Sequence, residues 1–433
     1  MRPGARISAA IEVLDEVTLR HRPASEALSD WGKAHRIAGS GDRSAIGSLV
    51  YDALRRRSSI AWRFENDTSR ALAIGAAGQA FSIEAGAVAG LCDGSQHAPA
   101  PLTDTELAAL SRPLTAAPAH IQADIPEWLW PTFTAVFGAS AIAEGQSLCE
   151  RAPTDLRINT IKSTRERTLK ALASFNPVPT RMAPLGLRIA APVGTVRTPN
   201  LQAEAAFQAG WFEVQDEGSQ IAATLAGAGP RMQILDICAG AGGKSLAMSA
   251  NQNSTGQIYA YDNDRLRLKP IFERMKRAGA RNIQVLRARD KEALAALGPR
   301  FDVVLVDAPC TGTGVWRRRP EAKWRLKAPS IDNRRDDQRE VLALAMPMVK
   351  PGGRLVYVTC SILPEENCGQ IASLLSAHPE FEVEPIADVW RSTVGTEPPA
   401  SADGRTDSLL LTPHRHQTDG FFVAVLRRRK HAG

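Results

Sequence analysis

The stretch DICAGAGGKS at positions 236–245 decides how the second half of the chain is interpreted. It ends an apolar run and closes with glycines, a lysine and a serine, which is typical of a ligand-binding turn from a strand into a helix. A phosphate-binding P-loop requires a glycine, four further residues, and then Gly-Lys-Ser or Gly-Lys-Thr. Gly243, Lys244 and Ser245 fit the end of this pattern, but its first glycine falls on Cys238. A P-loop is therefore excluded.

The same glycines come close to the dinucleotide-binding fingerprint Gly-x-Gly-x-x-Gly/Ala. Gly240 and Gly242 fit the fingerprint, whereas Ser245 departs from it at the last place. Further on, Asp262 in YAYDND ends the next apolar run, where an acidic residue binds the ribose hydroxyls. NAD and S-adenosylmethionine both carry an adenosine ribose. The loop and Asp262 therefore leave both cofactors open, as well as a turn that binds no ligand.

From about residue 210, short β-rich runs alternate with segments of helical length, such as 264–279 and 331–349. Near-continuous apolar strands separated by helices indicate a mostly parallel sheet covered on both faces. We predict an α/β, Rossmann-like, doubly wound domain over residues 209–433. Residues 391–418 are rich in Ser, Thr, Pro and Gly, which predicts a long surface loop. The predicted strands are MQILDICA, QIYAYDN, IQVLRA, FDVVLVDAP, GRLVYVTCS, FEVEPI and GFFVAVLRR.

The first part of the chain has the periodicity of helices. Ile7, Ile11 and Leu14 recur at the spacing of one helix face, and no strand alternation occurs before residue 120. Two prolines near that point prevent a continuous helix. We predict a small all-helical domain over residues 1–120 and a compact α+β linker domain over residues 121–208.

Composition and charge narrow the class of protein. The chain of 433 residues is 44% hydrophobic and 23% charged with a net charge of +7, which favours a globular protein with a polyanionic partner. Its 6 cysteines form no CxxC pair and no zinc-spaced cluster, so we expect no metal. We see no signal peptide and no apolar stretch that could span a bilayer. We therefore expect a cytoplasmic protein that binds no membrane, and we take it to be a monomer.

Two cysteines follow strands that come after the glycine loop. FDVVLVDAPC places Asp307 and Cys310 after one strand, and LVYVTC places Cys360 at the end of another. Ligands of a doubly wound sheet bind at the carboxyl ends of its strands, so these residues would lie near the loop. One such cysteine is normally a small buried hydrophobe. Two of them beside a cofactor loop indicate chemistry on sulfur.

Paired cysteines suit the methylation of a pyrimidine at carbon 5. That carbon is a poor nucleophile, and a thiolate that adds at carbon 6 makes it enamine-like. Carbon 5 then takes a methyl group, a base removes its proton, and the thiolate leaves. A carboxyl group near the ring would stabilise developing charge, and Asp307 is placed for that role or for the cofactor. Hydride transfer needs no such cysteines, so they favour S-adenosylmethionine over NAD.

Several motifs resemble those of the Sun/Fmu (RsmB-type) family of RNA cytosine-C5 methyltransferases. The helical region is similar, less specifically, to the NusB-like RNA-binding domain of the ribosomal RNA branch. The resemblance implies S-adenosylmethionine as cofactor and RNA as partner. The motifs are LRINT at 156–160, VQDEGSQ at 214–220, DAPCTGTGVWRRRPEAKW at 307–324, YVTCSILPEEN at 357–367 and DGFFVAVLRR at 419–428.

The resemblance also implies a role for individual residues. Cys360 would be the nucleophile at carbon 6, and Cys310 would assist breakdown of the covalent adduct and product release. DNA cytosine methyltransferases use the Pro-Cys cysteine as nucleophile instead, so this order rests on the family alone. Asp262 would bind the ribose hydroxyls, Asp290 would lie near the adenine, and Asp307 would lie beside the methyl group and the target base. The residues that would hold the methionine part are Cys238, Ala239, Gly240, Ala241, Gly242, Gly243 and Lys244.

The glycine loop departs from the family at one place. The family usually reads Cys-Ala-Ala-Pro-Gly-Gly-Lys, and this chain has Gly240 and Ala241 in place of Ala-Pro. Glycine is freer than alanine, and loss of proline releases φ. We therefore expect a retained site with a looser loop and weaker cofactor binding.

A basic segment, VWRRRPEAKWRLK at 315–327, directly follows the Pro-Cys motif. Basic side chains can follow phosphates, and Trp316 and Trp324 could stack on bases, so we predict substrate contacts here. Arg55–Arg57 ends a predicted helix and is expected to be solvated, with an RNA contact as the alternative. The predicted RNA-binding residues are Arg157, Asn159, Arg318 and Lys323.

Together these features predict an S-adenosylmethionine-dependent RNA cytosine-C5 methyltransferase. The helical N-terminal domain favours small-subunit ribosomal RNA as the substrate. The alternatives are a non-catalytic RNA-binding or assembly factor on the same fold, the same chemistry on transfer RNA or DNA, and an NAD-dependent oxidoreductase.

Overall fold

The computed structural model describes residues 1–430. None of the helices in this range is long and apolar enough to cross a membrane. The helices are α1 (Pro3–Thr18), α2 (Ala24–Ala34), α3 (Ser40–Arg55), α4 (Arg57–Phe64), α5 (Ser69–Phe81), α6 (Ala85–Leu91), α7 (Asp104–Ser111), α8 (Ala119–Gln122), α9 (Trp130–Phe137), α10 (Ala141–Ser147), α11 (Arg165–Ala171), α12 (Ala205–Gln208), α13 (Glu217–Leu225), α14 (Gly243–Asn251), α15 (Arg265–Leu268), α16 (Ile271–Ala278), α17 (Lys291–Ala295), α18 (Pro320–Arg325), α19 (Ala328–Ala345), α20 (Cys368–Ala377), α21 (Ile386–Thr393) and α22 (Pro413–His416). The strands are β1 (Thr154–Ile158), β2 (Val178–Pro179), β3 (Gly186–Ile189), β4 (Phe212–Val214), β5 (Gln233–Asp236), β6 (Gln257–Ala260), β7 (Ile283–Val285), β8 (Phe301–Asp307), β9 (Val349–Thr359), β10 (Phe381–Val383), β11 (Leu409–Leu411) and β12 (Phe421–Arg428).

The chain divides into two compact units, of which the first is helical. Unit 1 comprises Met1–Ala152, Ala191–Pro199 and Trp316–Leu326. Its core is formed by the apolar faces of α1, α3 and α5, with buried side chains such as Ile7 and Leu49. The predicted helical character of the N-terminal region is confirmed, because these residues recur on one face of each helix.

Small residues allow the helices of unit 1 to approach closely. Gly75 in α5 faces α4, where a Cβ atom would lie 2.4 Å from Cγ2 of Ile60.

At the start of α3, Oδ2 of Asp42 accepts a hydrogen bond from Gly39 N at 3.2 Å. This bond satisfies a backbone donor that the helix itself leaves without a partner.

Unit 1 extends past residue 120, where we predicted the helical domain to end. Oδ1 of Asp124 accepts a hydrogen bond from the backbone N–H of Ser59 at 2.9 Å, and α8 packs against α4 and α10. Asp124 is buried, and burial raises the pKa of its carboxyl group. The expected boundary therefore lies inside unit 1, and the prolines at 118 and 126 each precede a short helical segment without separating domains.

Unit 2 begins at Pro153 and contains a small antiparallel sheet in the order β2-β3-β1-β4. Leu156, Leu187 and Phe212 from its strands are fully buried in one cluster. Strand β1 is followed by helix α11, whose cap is Thr164, since Thr164 Oγ1 accepts a hydrogen bond from Arg167 N at 3.3 Å.

The larger sheet of unit 2 has eight strands in the order β10-β12-β9-β8-β5-β6-β7, with β11 beside β12. Strands β9, β8, β5, β6 and β7 are parallel to one another, and most of their side chains are buried. The predicted α/β fold is confirmed. Strand order reverses between β5 and β8, and ligands of doubly wound sheets bind at the carboxyl ends of such strands.

Beside β12, this sheet contains a strand, β11, that we did not predict. Strand β12 is antiparallel to β9, β10 and β11. Strand β11 and helix α22 lie within residues 391–418, which we predicted to be a surface loop. That prediction was wrong for Leu409–Leu411, since these leucines pair with β12 and are at most 1% exposed. A three-residue apolar run gives too weak a periodic signal to be recognised as a strand.

Candidate active site

The glycine loop connects β5 to α14 and is held by backbone hydrogen bonds. Ala239 N donates to Tyr261 O at 2.9 Å, and Gly242 N donates to Ala239 O at 2.8 Å. Gly240 N donates to Oδ2 of Asp262 at 2.9 Å. Asp262 is 4% exposed and also accepts from Asp264 N at 2.8 Å. The aspartate therefore connects the end of β6 to the glycine loop.

Backbone conformation favours glycine at both 240 and 242, and at 242 the lack of space for a Cβ atom favours it as well. Both have positive φ, +49° and +80°. A Cβ atom on Gly242 would also lie 2.5 Å from Cγ1 of Ile271, whereas a Cβ atom on Gly240 would meet Arg267 Nη2 at 3.6 Å, an ordinary contact. The Ala of the family is therefore spatially allowed at position 240.

We expect Gly242→Ala to lower the free energy of unfolding by about 2–4 kcal/mol, because left-handed strain and overpacking add. Gly240→Ala is the matched control and should cost about 1 kcal/mol, from strain alone. Urea unfolding of both variants tests this. Equal losses in the two variants would contradict the packing argument.

A cavity of about 290 Å³ opens beside the loop, between the ends of β5, β6 and β8. Cys238 and Asp262, two of the predicted cofactor residues, line it, together with Tyr261, Arg267 and Pro309. Burial raises the pKa of the Cys238 thiol well above its usual value, so this thiol keeps its proton.

Asp290, predicted to lie near the adenine, caps a helix in the structure. Its Oδ1 accepts a hydrogen bond from Ala293 N at 2.9 Å at the start of α17. The residues on either side of it, Arg289 and Lys291, line the cavity. Asp290 is thus adjacent to the cavity in the chain, and its direct contact with a cofactor stays a prediction.

Lys244 and Asp307 form an ion pair at the edge of the site. Lys244 Nζ lies 2.7 Å from Asp307 Oδ2 and 5.4 Å from the ring centroid of Phe421. The lysine side chain is 8% exposed and that of Asp307 is 34% exposed. A carboxylate that is paired on one oxygen and partly open on the other remains accessible to a ligand.

The two cysteines singled out in the sequence are in contact. Sγ of Cys310 and Sγ of Cys360 are 3.4 Å apart, and both cysteines are free thiols. They follow the neighbouring parallel strands β8 and β9. The hydrogen bond with Cys360, and then burial, raises the pKa of Cys310 well above its usual value. Cys310 therefore keeps its proton and can donate it in a hydrogen bond to a Cys360 thiolate.

Asp236, the first residue of the quoted stretch, is a buried acid below the loop. Its Oδ2 accepts from Ser245 Oγ at 2.6 Å, while Oδ1 is buried without a hydrogen-bond partner within residues 1–430. Burial raises its pKa from 3.8 to about 7. The folded state therefore binds this proton more tightly than the unfolded state does.

The Asp236 proton predicts a pH dependence of stability. Because the folded pKa is raised, the stabilisation is complete below the unfolded pKa of 3.8 and is lost as the pH rises to about 7. The loss is at most about 4 kcal/mol. We expect Asp236→Asn to remove this part of the pH dependence in urea unfolding measured across that range. An unchanged slope in the variant would contradict a protonated Asp236.

The predicted RNA contacts of Arg157 and Asn159 are corrected by the structure. Arg157 is 4% exposed and its Nε donates to Gln215 Oε1 at 2.7 Å, while burial lowers its pKa to about 10. Asn159 Nδ2 donates to Gly210 O and to Ala278 O, both at 2.8 Å. These side chains bind other parts of unit 2, which explains the LRINT motif as a packing element.

Lys323 is likewise a structural residue. It is fully buried in unit 1, where its Nζ donates to Arg55 O at 3.0 Å and lies 3.4 Å from Cys149 Sγ. Trp316 is 1% exposed, and Trp324 Nε1 donates to Leu54 O at 2.6 Å. The predicted stacking on bases is wrong for Trp316, because its ring is buried in the helical unit, whereas Trp324 is half-buried and its stacking stays a prediction. Arg318 is exposed, and its RNA contact stays a prediction.

Arg55 contradicts the expectation of a solvated helix end. It is 8% exposed, and its Nε and Nη2 donate to Arg317 O at 3.0 and 2.8 Å. Its Nη1 pairs with Asp52 at 2.9 Å. Arg55 is therefore neither exposed to solvent nor accessible for an RNA contact.

Some residues near the site carried no signal in the sequence. Arg274 in α16 donates from Nη1 to Ala241 O at 2.9 Å and pairs with buried Glu213 through Nη2 at 2.9 Å. This contact restrains the loop at the residue where the family has proline. Within residues 1–430, no three His, Cys, Asp or Glu side chains form a group that could hold a metal.

Comparison with known proteins defines the class first. The fold matches the crystal structure of PH0851 with a TM-score of 0.74 and 25% identity, over 98% of this chain and 99% of that one. It also matches the structure of NSun6 from Pyrococcus horikoshii with SFG, at a TM-score of 0.62 and 22% identity, over 71% of this chain and 99% of that one. The fold is that of these structures, and residues 223–427 match the model of a methyltransferase family. The protein is therefore an enzyme of the methyltransferase class.

Sequence similarity identifies the family. Residues 223–427 match the model of the family described as 16S rRNA methyltransferase RsmB/F. A protein of Synechocystis sp. named probable ribosomal RNA small subunit methyltransferase B is 33% identical over 318 residues. That alignment covers 71% of this chain and 67% of the relative. The chain belongs to the RsmB/F methyltransferase family.

Proposed function

We propose that this protein uses S-adenosylmethionine to methylate carbon 5 of a cytosine in RNA, and that small-subunit ribosomal RNA is its substrate. The pair of thiols carries the proposal. Cys310 and Cys360 lie 3.4 Å apart after neighbouring parallel strands, in the same unit as a cavity lined by Asp262. A methyl transfer to oxygen or nitrogen needs no thiol, whereas activation of a pyrimidine carbon uses a thiolate, and a second thiol beside it can support that thiolate when it leaves.

The cavity residues fit the adenosine part of this cofactor. Each oxygen of Asp262 accepts one backbone N–H, and a carboxylate oxygen has a second lone pair that can accept from a ribose hydroxyl. The neutral Cys238 thiol adds no competing charge. The glycine loop, with Lys244, would hold the methionine part. When bound, S-adenosylmethionine supplies a methyl group on a cationic sulfur.

The two thiols have different roles in the proposed reaction. Cys360, as thiolate, adds to carbon 6 of the cytosine, and Cys310 stabilises that thiolate by donating a hydrogen bond to it. After carbon 5 has taken the methyl group, a base removes the proton of carbon 5, and the electrons of that C–H bond restore the ring double bond and expel the Cys360 thiolate, which Cys310 again supports. Asp307, paired with Lys244 on one oxygen, can accept a hydrogen bond from the exocyclic amine of the cytosine on the other.

RNA as the substrate is supported by the family and by charge. The matching family is described by its action on 16S rRNA, and the relative from Synechocystis sp. is named for the small ribosomal subunit. The net charge of +7 favours a polyanion. The target cytosine must be unpaired or flipped out of a helix to reach two partly buried thiols.

The direct test is incubation with methyl-labelled S-adenosylmethionine and small-subunit RNA, followed by digestion to nucleosides. We expect the label in 5-methylcytidine. Transfer RNA, in a parallel reaction, is the control for the substrate. Label from transfer RNA alone would overturn the ribosomal assignment, and no label in 5-methylcytidine from either RNA would refute the enzyme.

A further inference from the structure

Glu366 lies between the two loops that carry the cysteines. It is fully buried in the turn between β9 and α20. Its Oε1 accepts from Thr311 N at 2.8 Å, and its Oε2 accepts from Thr311 Oγ1 at 2.5 Å. Ser361 Oγ also donates to Oε2. Thr311 follows Cys310, and Ser361 follows Cys360, so one carboxylate holds the neighbours of both thiols.

A further partner of Glu366 extends this arrangement to the start of the Pro-Cys loop. Gln338 Nε2 in α19 donates to Glu366 Oε1 at 3.1 Å and to Pro309 O at 2.9 Å. Tyr357 OH donates to the backbone oxygen of Glu366 at 2.7 Å, which restrains the turn from β9. The loops around the thiols are therefore bonded to a single buried side chain.

The carboxylate has no capacity left for a substrate. An ionised carboxylate has about four lone-pair sites. The N–H and hydroxyl of Thr311, the hydroxyl of Ser361 and the amide of Gln338 all donate to it. A group so saturated within the protein acts through the residues that it holds and makes no contact with a ligand.

We propose that Glu366 is a positioning residue, whose carboxylate ties the Cys310 and Cys360 loops together so that the two sulfur atoms stay in contact. This inference rests on the proposed function for its catalytic meaning, since the contact matters when one thiol must support the other. Other direct bonds also join these loops: Gly314 N donates to Cys360 O at 2.9 Å, Ile362 N donates to Thr313 Oγ1 at 2.9 Å, and the hydroxyl oxygens of Thr313 and Ser361 are 3.0 Å apart. Glu366 adds the bonds to Thr311, which directly follows Cys310. Loss of the carboxylate would therefore loosen the chain next to Cys310, and we expect the thiols to separate more often.

The test uses a readout that needs no methyl transfer. Diamide takes up two hydrogens from a thiol pair and leaves a disulfide, at a rate that depends on how often the sulfurs meet. We expect rapid closure of Cys310–Cys360 in the wild type, slower closure in Glu366→Gln, and closure about tenfold slower or more in Glu366→Ala. Glu366→Gln keeps the volume and one acceptor, so it reports on the charge and the lost bonds even if the alanine variant fails to fold.

The matched control is Glu217→Gln. Glu217 is also fully buried and accepts hydrogen bonds from Met182 N at 2.6 Å and Ala183 N at 3.0 Å, away from the thiols in the chain. If buried carboxylates merely stabilise the fold, the two glutamine variants should slow closure alike, and this result would overturn the proposal. Thiol closure at the wild-type rate in both Glu366→Gln and Glu366→Ala would also overturn the proposal.

Kinetics separate positioning from stability and from the proposed function. For methyl transfer we expect Glu366→Gln to lower kcat by up to about 10²-fold with little change in KM for S-adenosylmethionine. Equal changes in kcat and KM would argue against positioning. If the wild type closes its thiols rapidly and the Glu366 variants do not, but neither the wild type nor any variant methylates RNA, the positioning role stands and the proposed function is refuted.

Discussion

Cys360→Ala should transfer no methyl group to RNA above background, a loss of about 10³-fold or more. Without a thiolate at carbon 6, carbon 5 of cytosine remains a poor nucleophile, so the loss is in the chemical step. Cofactor binding should be unchanged, because Cys360 does not line the cavity that holds Cys238 and Asp262. Single-turnover transfer from labelled S-adenosylmethionine measures the first quantity, and calorimetry measures the second.

Cys368→Ala is the matched control for this experiment. The Cys368 thiol is also partly buried in unit 2 and contacts Pro364 O at 3.8 Å. It lies at the start of α20, after the loop that carries Cys360. This variant should keep wild-type activity. Full activity in Cys360→Ala would overturn the assignment of the nucleophile, and would point to the Pro-Cys cysteine, Cys310, instead.

Cys310→Ala should give the second large effect, and of a different kind. The first turnover should proceed, because Cys360 can still add to the base. Breakdown of the adduct should slow by about 10²–10³-fold, because the leaving thiolate loses the hydrogen bond from Cys310. We therefore expect a protein–RNA adduct that survives denaturation, visible as a shifted band on a denaturing gel, with multiple-turnover activity nearly lost.

The double variant Cys310→Ala/Cys360→Ala is the control for the adduct. It should form none, because the sulfur that makes the bond is absent. An adduct in the double variant would mean that another residue attacks the base. Cys310→Ala with normal multiple turnover and no adduct would remove Cys310 from the mechanism.

Much of the fold and of the site could be predicted from local patterns. The strands of the large sheet are apolar runs bounded by polar turns, and they occur where the sequence places them, from β5 to β10 and at β12. Strands that end at the same edge bring their last residues together, which is why Cys310 and Cys360 could be expected to meet. The contact at 3.4 Å follows from adjacency of β8 and β9.

The failures concern residues whose partners are far away in the chain. Lys323 looks like an RNA ligand in a basic segment, yet it is fully buried and bonds to Arg55 O, 268 residues earlier. Arg157 is buried against Gln215, 58 residues away. A charged residue is usually exposed, and only the structure identifies the exceptions that are paired inside the protein.

Local patterns were enough to predict the class of fold, the glycine loop with Asp262, and the two cysteines, because each depends on periodicity or on the chemistry of a short motif. The packing of the whole chain placed segment Trp316–Leu326 in the helical unit and Glu366 between the cysteine loops. Neither placement could be predicted from the sequence, for one shared reason. Burial and hydrogen-bond partners are properties of the packed chain, and a polar side chain carries no local signal of what it will bind.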